Sequence, residues 1–399
     1  VSVSMTINAP AAILLAFYIA TADKQGVPRD RLRGTCQNDI LKEFHAQNEI
    51  VFPPAESVRL VVDTIEFCAK ELPQYNPVSI SGYHIREAGS TAGQELAFTL
   101  GDGLHYVQAC LDRGMAVDGF APRLSFFFNS HNDFFEEIAK FRAARRMWAT
   151  YMRDRFGAAA ERSMWLRFHA QTAGCSLYSK QPQVNLMRVA YQAMAAVLGG
   201  CQSLHTNSMD ETICLPTEQA VTLALRTQQV LAFETGVTST VDPLGGSYFI
   251  ESLTDRIEAE AREYIDHIES TGGMIAAIES GYVRKQIADA AYRYSRAVER
   301  GDKKLVGVTD FTQDHEEPIE LLKIGPEVEE GVAAKLKAVK AGRDGAAVAD
   351  VLKRVTDDAR ADRNIMPALI EGAKAYASVG EMMGALQTAL GRFDPGQIS

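Results

Sequence analysis

The segment VSISGYHIREAG, at positions 78–89, passes from a strand pattern into a helix pattern through a short polar step. Its first half has β-branched and small residues typical of a buried strand, and its second half has helix-forming residues. Five other segments have the same order: 1–8 (VSVSMTIN), 32–39 (LRGTCQND), 123–129 (RLSFFFN), 165–171 (WLRFHAQ) and 202–207 (QSLHTN). Strands that alternate with helices predict a parallel sheet covered on both faces.

The stretches between these strands predict helices, because apolar residues recur there at helical spacing over 92–113, 133–156, 183–198 and 217–233. A doubly wound sheet and a (β/α)₈ barrel both fit this alternation. Two features favour the barrel. Each strand segment ends in polar side chains, as expected where all the carboxyl ends of a barrel build one site. No GxGxxG or GxxxxGK[ST] turn of a nucleotide-binding sheet occurs.

The strand interiors are unusual for a barrel, because small or polar residues stand where bulky aliphatic ones normally fill the core. These residues are Ser2, Ser4, Thr6, Gly34, Thr35, Ser79, Ser81 and Gly82. They predict an axial channel that holds a long, partly polar ligand.

Composition excludes several classes of function. The chain has 399 residues and a net charge of −10, which argues against nucleic-acid binding. The longest apolar run, 11–22, is shorter than the roughly 20 residues that cross a bilayer. No signal-peptide pattern is present, and the six cysteines are scattered without a CxxC pair. We therefore expect a cytoplasmic protein with reduced thiols.

The character of the sequence changes after the turn DPLGGSYFIE, at positions 242–251. Helical patterns follow at 252–270 and 283–300, and KLVGVT at 304–309 predicts one more strand. A charged linker then leads to a helical tail, whose last apolar helix covers 365–390. We predict two domains: a barrel domain at 1–312, and a linker with a C-terminal helical region at 313–399.

Three histidines, His84, His169 and His205, fall at strand ends in this prediction and would converge on one barrel mouth. A three-histidine mouth could bind zinc, as in a metal-dependent hydrolase. No HxH pair is present, however, and no carboxylate stands at ligand spacing. Buried structural histidines are the other interpretation, and we assign no metal ligand.

Neutral hydrogen-bonding groups outnumber charged ones around these histidines. The candidates are Thr35, Gln37, Gln47, Arg123, Ser125, Gln171, Ser203, Asn207 and Glu211. Such a lining suits a neutral carbonyl or amide substrate. No GxSxG elbow, Cys–His pair or carboxylate dyad indicates nucleophilic or acid–base hydrolysis.

Long motifs in the same order resemble the large subunit of the methylmalonyl-CoA mutase family: GTCQNDILKEF (34–44), ISGYHIREAG (80–89), FAPRLSFFF (120–128), RFHAQTAG (167–174), LGGCQSLHTNSMDE (198–211) and DPLGGSYFIE (242–251). The resemblance implies a (β/α)₈ barrel with the pantetheine arm of an acyl-CoA along its axis. It also implies adenosylcobalamin over the strand carboxyl ends and a radical 1,2-rearrangement of the acyl group. In such an enzyme the protein chain orients the substrate and shields the radical, while the cofactor supplies the difficult chemistry.

The same resemblance implies roles for single residues. His84 would hydrogen-bond the thioester carbonyl, beside Tyr83. Thr35 and Gln37 would surround the acyl group. Two further sets complete the site: Arg123, Ser125, His169 and Ser203 would hold the coenzyme A arm, and Gln171, Asn207 and Glu211 would lie near the adenosyl group.

Two positions depart from the methylmalonyl-CoA mutase pattern. Gln47 stands where those enzymes have an arginine that binds a free carboxylate, and a neutral amide cannot replace that pairing. We therefore expect isobutyryl-CoA or 2-hydroxyisobutyryl-CoA as substrate, with methylmalonyl-CoA as the alternative. The cobalt-ligating DxHxxG motif is absent, since His315 lies in QDHEEP. A separate small cobalamin-binding subunit is then expected.

The resemblance has two further consequences. It places positions 1–8 at the third barrel strand, so the first two strands are expected to lie before Val1. Family members are heteromeric, commonly with two large and two small subunits, which implies that the large subunit also associates with a second copy of itself. An inactive scaffold homologue is the non-enzyme alternative.

Overall fold

The computed structural model describes residues 2–314 and 319–394. Its strands, within that part of the chain, are short and parallel. In chain order they are β1 (Ser2–Met5), β2 (Arg33–Cys36), β3 (Tyr75–Asn76), β4 (Ser79–Ser81), β5 (Ser125–Ser130), β6 (Phe168–Thr172) and β7 (Ser203–His205). All six predicted strand segments contain a strand, and β3 is an additional short piece just before β4.

The strands pair in the order in which they occur along the chain, β1-β2-β3 and then β4-β5-β6-β7. The Ser79 N–H donates a hydrogen bond of 2.8 Å to the Gln37 carbonyl, which links the two sheets across the step from β3 to β4. Sequential parallel pairing with helical crossovers is the connectivity of a (β/α)₈ barrel. The barrel is not closed, because β1 and β7 do not pair with each other in the described residues.

Helices connect and cover the strands on their outer side. They are α1 (Ala11–Lys24), α2 (Pro54–Glu71), α3 (Tyr83–Glu87), α4 (Ala92–Asp112), α5 (Val117–Phe120), α6 (Phe134–Asp154), α7 (Val184–Leu198), α8 (Glu218–Phe233), α9 (Tyr248–Ser270), α10 (Gly273–Glu279), α11 (Tyr282–Glu299), α12 (Pro326–Gly342), α13 (Gly345–Arg360), α14 (Met366–Lys374) and α15 (Val379–Leu390).

Side-chain caps explain where the long central helices begin. Thr91 and Gln94 form a reciprocal capping box at the start of α4, and the Asp133 carboxylate accepts the Glu136 N–H at the start of α6. The observed bounds therefore lie within two residues of the predicted ones. Four helices, the longer α1 and α2 and the short α5 and α10, were not predicted.

Two apolar clusters hold the layers together. In the first, the outward-facing Phe126 and Phe128 of β5 pack with Phe141 and Trp148 of α6. In the second, α1 and the outer side of α2 pack against α13, α14 and α15. The C-terminal helices thus cover the helix layer outside β1 and β2.

Three local predictions were wrong. Positions 304–309 form no strand, only an isolated bridge between Val306 and Asp310. The predicted single helix at 365–390 is two helices, α14 and α15, because the chain turns through Tyr376 at a φ of 61°. His84 lies in α3, and His169 near the start of β6, so neither stands at the end of its strand.

Parts of the predicted segments lie outside the described residues, namely Val1, positions 315–318 of the linker with His315, and positions 395–399. In the part of the chain that the structure describes, no helix combines the length and apolar character needed to cross a membrane.

Candidate functional site

A cavity of about 700 Å³ runs along the inner face of the strands. Every strand contributes to its wall, either directly or through the residue that follows it. The lining consists of Ser4, Met5, Thr6, Thr35, Gln37, Asn76, Ser79, Tyr83, His84, Ser125, Phe126, Phe127, Arg167, Phe168, His169, Gln171, Gln202, Ser203 and His205. The volume and the length of this wall suit an elongated ligand.

Alternation along the strands explains which side chains face the cavity. In β6, His169 and Gln171 are partly accessible and line the cavity, whereas Ala170 and Thr172 are buried and do not line it. Half of the predicted small interior residues line the cavity. Ser4, Thr6, Thr35 and Ser79 line the cavity, but Ser2, Gly34, Ser81 and Gly82 do not.

Gly82 has a different role, because it allows close packing between the end of β4 and α4. A Cβ atom at this position would lie 2.2 Å from the Thr99 hydroxyl. The chain can therefore turn directly from β4 into α3, which brings Tyr83 and His84 to the cavity. The Tyr83 ring stacks on Phe127 with centroids 4.9 Å apart.

A polar cluster forms at the carboxyl ends of the strands. The Gln171 amide donates hydrogen bonds of 2.9 Å to both the Tyr83 hydroxyl and the Asn207 side-chain oxygen. Asn207, itself buried, donates to the Thr172 carbonyl. Two of the predicted cofactor-site residues are therefore brought together with Tyr83.

The three histidines all line this cavity, and burial keeps them neutral. Burial and the nearby Lys42 ammonium lower the pKa of His84 well below its usual value. Burial, with a smaller contribution from His205, lowers the pKa of His169 to about 4. The Nδ1 atom of His84 is buried and has no hydrogen-bond partner in the described residues. His169 Nδ1 instead lies 2.7 Å from the Ser203 hydroxyl.

Arginines gather near the amino ends of β5 and β6. Arg167 lines the cavity and donates to the Pro122 carbonyl, while Arg123 closes the turn before β5. Burial and mutual repulsion with Arg162 lower the pKa of both Arg123 and Arg167. This end of the cavity is thus positively charged in an acidic chain, which suits an anionic group. The sequence prediction included Arg123 but missed Arg167 and Arg162.

Four predicted site residues do not line the main cavity. Arg123 lies just outside it, and Asn207 reaches it only through Gln171. Glu211 is exposed after β7. Burial, with the nearby Glu87 carboxylate and a smaller contribution from Glu211, raises the pKa of Tyr83. Gln47 lies on the turn Glu43–Gln47 and lines a neighbouring cavity of about 520 Å³ that shares Thr6. Its side-chain oxygen accepts a hydrogen bond of 2.9 Å from the Lys42 ammonium.

Buried ionic groups behind α3 were also missed. The Lys140 ammonium donates to Glu95 at 2.6 Å and to the Asn129 carbonyl at 2.8 Å, and it pairs with Glu137. Asp39 accepts the Ser81 N–H at 2.6 Å and the Tyr106 hydroxyl at 2.7 Å. These carboxylates hold the ends of β4 and β5 on either side of α3. The sequence did not reveal these contacts, because residues that are far apart along the chain, such as Lys140 and Glu95, show no local sequence pattern of pairing.

The three histidines do not form a metal cluster. Among the described residues, no group of three His, Cys, Asp or Glu side chains is arranged to hold a metal ion. The hydrogen bonding of His169 to Ser203 and the separation of the histidines over α3, β6 and β7 instead suit a polar binding wall.

The comparisons with known proteins agree with this geometry. The sequence profile described as "Methylmalonyl-CoA mutase" matches residues 1–392. The chain is 47% identical over 395 residues to the "2-hydroxyisobutanoyl-CoA mutase large subunit" of Aquincola tertiaricarbonis, covering 98% of this chain and 70% of that protein. It is 45% identical over 395 residues to the "Methylmalonyl-CoA mutase" of Rhizobium meliloti (strain 1021), covering 98% of this chain and 55% of that protein.

The mitochondrial methylmalonyl-CoA mutase of Homo sapiens is 42% identical over 392 residues, with 98% of this chain and 52% of that protein covered. The chain thus spans about half the length of these methylmalonyl-CoA mutases. The relatives are mutases, which are isomerases. The chain belongs to the methylmalonyl-CoA mutase family.

Proposed function

We propose that the chain is the substrate-binding large subunit of an adenosylcobalamin-dependent acyl-CoA mutase. The proposed substrate is a branched, uncharged acyl-CoA, either isobutyryl-CoA or 2-hydroxyisobutyryl-CoA. The observation that carries the proposal is the long, mainly neutral cavity in which the His84 Nδ1 atom is buried without a partner among the described residues. A buried polar atom of this kind is costly unless a ligand satisfies it.

Coenzyme A would bind in the part of this cavity near the amino ends of β5 and β6. We assign its anionic groups to Arg123, with Arg167 added from the geometry. The amide-rich pantetheine arm would extend past the hydroxyls of Ser125 and Ser203 and the His169 ring. This succession of a cationic end and a neutral polar wall supports an elongated ligand with charge at one end.

His84 is the proposed catalytic group at the thioester. Because its imidazole is neutral at pH 7, it can donate one N–H hydrogen bond to the thioester carbonyl. This hydrogen bond comes from a neutral ring, not from an imidazolium cation. A hydrogen bond fixed in a water-poor cavity stabilises charge that develops on the oxygen during rearrangement. Tyr83, stacked on Phe127, would shield the same region.

The acyl group would lie against Thr35 and Gln37. Asn8 donates a hydrogen bond of 2.9 Å to the Gln37 side-chain oxygen, which leaves the Gln37 NH₂ group as the donor available to a ligand in the cavity. Lys42 orients Gln47 in the same way, since it occupies the Gln47 oxygen. Neutral amides in these positions offer no charged fork for a second carboxylate, which favours an uncharged acyl group.

The residues at the carboxyl ends fit an adenosyl group. Gln171, Asn207 and Glu211 present amide and carboxylate groups there, and the Asn129 side-chain oxygen is buried without a partner in the described residues. When bound, adenosylcobalamin supplies the radical chemistry of the rearrangement. We propose that a small cobalamin-binding subunit holds the cobalamin itself, because the similar Aquincola tertiaricarbonis protein is named a large subunit.

We also propose a division into a barrel domain at 1–312 and a C-terminal helical region at 313–399, with a cytoplasmic location. The six cysteines, free in the structure, are compatible with a reducing compartment.

The test is turnover by the full-length large subunit reconstituted with a small cobalamin subunit and adenosylcobalamin. Isobutyryl-CoA, 2-hydroxyisobutyryl-CoA and methylmalonyl-CoA are compared by kcat/KM. We expect one of the two uncharged substrates to exceed methylmalonyl-CoA at least tenfold. Methylmalonyl-CoA as the best substrate would contradict the substrate assignment, and no turnover of any of the three would indicate a scaffold protein.

A further inference from the structure

One buried acceptor in the wall of the main cavity has no ligand in the proposed function. Asn76, the last residue of β3, lines this cavity. Its side-chain oxygen Oδ1 is buried and has no hydrogen-bond partner in the described residues. Buried acceptors without a partner are rare in native structures, and each calls for an explanation. A ligand group that supplies a donor would explain this one.

The backbone around Asn76 is held on both sides. The preceding residue, Tyr75, is fully buried, and its N–H donates a hydrogen bond of 3.0 Å to the Leu72 carbonyl. The following residue, Pro77, accepts a hydrogen bond of 3.0 Å from the Asn38 side chain at its carbonyl. Successive side chains of a strand point to opposite faces, so burial of Tyr75 on one face directs Asn76 to the other. Asn76 therefore belongs to a fixed part of the cavity wall.

Thr35 determines which end of the Asn76 amide stays unpaired. The two residues are partners in the register of the parallel strands β2 and β3. The Asn76 Nδ2 group donates a hydrogen bond of 3.0 Å to the Thr35 hydroxyl oxygen. This bond uses the donor side of the amide and leaves the acceptor Oδ1. Because the Thr35 hydroxyl accepts here, its own proton can be donated to another group.

The unpaired groups of Asn76 and Thr35 are complementary to a secondary amide. An amide oxygen accepts an N–H, and the neighbouring hydroxyl can donate to a C=O. An anionic ligand group would instead be repelled by the Asn76 oxygen. The arm of coenzyme A contains two secondary amides, and the nearer one begins two carbon atoms from the thioester sulfur. This short distance agrees with the assignment of Thr35 to the acyl group.

We propose that the Asn76 Oδ1 atom accepts the N–H of the coenzyme A amide nearest to the thioester, and that Thr35 is the positioning residue for Asn76. The inference rests on the proposed function, because that function supplies the ligand. It adds a neutral, directional contact to the arm. The contact lies between the cationic end of the cavity, at Arg123 and Arg167, and the thioester site at His84.

The first experiment removes the N–H from the ligand. Isobutyryl-CoA is compared with an analogue in which a CH₂ group replaces the N–H of that amide. Titration calorimetry measures both dissociation constants with the full-length large subunit and the small cobalamin subunit, before adenosylcobalamin is added. We expect the analogue to bind about tenfold more weakly, because it leaves the Asn76 oxygen unpaired.

Two other outcomes of this comparison are distinguishable. Equal dissociation constants for isobutyryl-CoA and the analogue would overturn the inference and leave the proposed function intact. If neither ligand binds, the proposed function fails, and the inference fails with it.

The second experiment removes the acceptor from the protein. Asn76→Leu should weaken the binding of isobutyryl-CoA about tenfold, but should change the affinity for the analogue less than about threefold. Gln74→Leu is the matched control, because it removes a side-chain amide from the same segment. Gln74 donates to the Asp30 carbonyl at the surface and does not line the cavity. An equal loss for both ligands in Asn76→Leu would indicate a changed cavity shape and contradict the proposal.

Three conservative variants test the arrangement without relying on Asn76→Leu. Asn76→Asp keeps an acceptor oxygen and should bind isobutyryl-CoA more tightly than Asn76→Leu does. Thr35→Val removes the hydroxyl at nearly constant volume, whereas Thr35→Ser retains it. We expect Thr35→Val to bind isobutyryl-CoA more weakly than Thr35→Ser, with a smaller difference for the analogue. Equal affinities in the two Thr35 variants would contradict the positioning role of Thr35.

Turnover provides a readout that a general structural role would not give. The amide is not a reacting group, so Asn76→Leu should raise KM about tenfold and lower kcat less than about threefold. A fall in kcat with an unchanged dissociation constant would mean that Asn76 acts on the reacting end of the ligand, and the proposal would be wrong.

Discussion

The inner face of the strands and the layer behind it differ in how they use polar residues. The cavity wall is built mainly from neutral groups: hydroxyls, amides and histidines whose pKa values are lowered by burial. The layer between strands and helices contains fully buried charges instead, among them Lys140 with Glu95 and Lys42 with Glu43.

This difference separates binding from positioning. The buried charges pair with one another, so few of them face the cavity. Two buried carboxyl groups of this layer accept backbone N–H groups at strand ends: Glu95 accepts Asn129 at 2.8 Å, and Asp39 accepts Ser81 at 2.6 Å. Both contacts stand next to α3, which carries Tyr83 and His84. The charged layer therefore sets the position of the neutral catalytic face without placing charge inside it.

The largest expected effect is the loss of the Lys140 ammonium. Lys140→Met leaves Glu95 and Glu137 buried without their cation, and we expect the free energy of unfolding to fall by about 3–5 kcal/mol. The measurement is denaturant unfolding of the full chain. Lys70→Met is the control, because Lys70 pairs with Glu66 on the surface, where the loss should stay below about 1 kcal/mol.

Lys140→Met is expected to fold poorly, so a second variant keeps the prediction testable. The triple variant Lys140→Met/Glu95→Gln/Glu137→Gln removes all three charges and should be more stable than the single variant. If the triple variant is the less stable of the two, the buried charges are not coupled as the structure indicates.

The next effect concerns the neutral face. His84→Leu removes the proposed hydrogen-bond donor at the thioester, and we expect kcat to fall about 100-fold. His84→Gln retains an N–H donor and should lose less. The measurement is steady-state turnover with the small cobalamin subunit and the preferred acyl-CoA. Equal losses in the two variants would mean that volume, rather than hydrogen bonding, is what His84 provides.

The pH profile gives a second readout for His84. Because its pKa lies well below the usual value, the imidazole is neutral throughout the neutral range and becomes charged only in more acidic solution. We therefore expect kcat of the unaltered chain to show no fall near pH 6.5 that can be assigned to His84. Between pH 6 and 7, the unaltered chain and His84→Gln should have pH profiles of the same shape.

The neutral face could be predicted from the sequence far better than the charged layer. Polar residues near the predicted strand ends stand out in the sequence, so Thr35, Gln37, Gln171 and Ser203 were recognisable as candidates, and all four line the cavity. Glu95 and Lys140 looked like ordinary polar positions of amphipathic helices. Their contact joins residues 45 apart in the chain, and only tertiary packing reveals it.

Predictions from local sequence patterns were wrong where the structure depends on the path of the chain relative to other elements, not on the type of side chain. Positions 304–309 have strand-forming residues, but the part of the chain that the structure describes offers them no neighbouring strand, so the isolated bridge between Val306 and Asp310 is all that forms. Gln47 follows a strand in sequence, yet the turn Glu43–Gln47 takes it to a neighbouring cavity.

The smallest effect is the pH dependence contributed by Asp39, which connects the two layers. Burial, with repulsion from Asp102, raises the pKa of Asp39 to about 7. The folded state therefore holds a proton between about pH 4 and pH 7 that the unfolded state has lost. This group's contribution to stability is greatest at acidic pH and declines as the pH rises to about 7.

Asp39→Asn removes that titration. The variant should be less stable at all pH values, since it loses an acceptor for either the Ser81 N–H or the Tyr106 hydroxyl. The difference in unfolding free energy between the unaltered chain and the variant should shrink from pH 4 to pH 7 and stay constant above. Denaturant unfolding at matched ionic strength measures this difference, with Asp23→Asn on the surface as control. A difference that widens with rising pH would mean that Asp39 is ionised in the folded chain. A negative charge would then be buried next to the ends of β2 and β4.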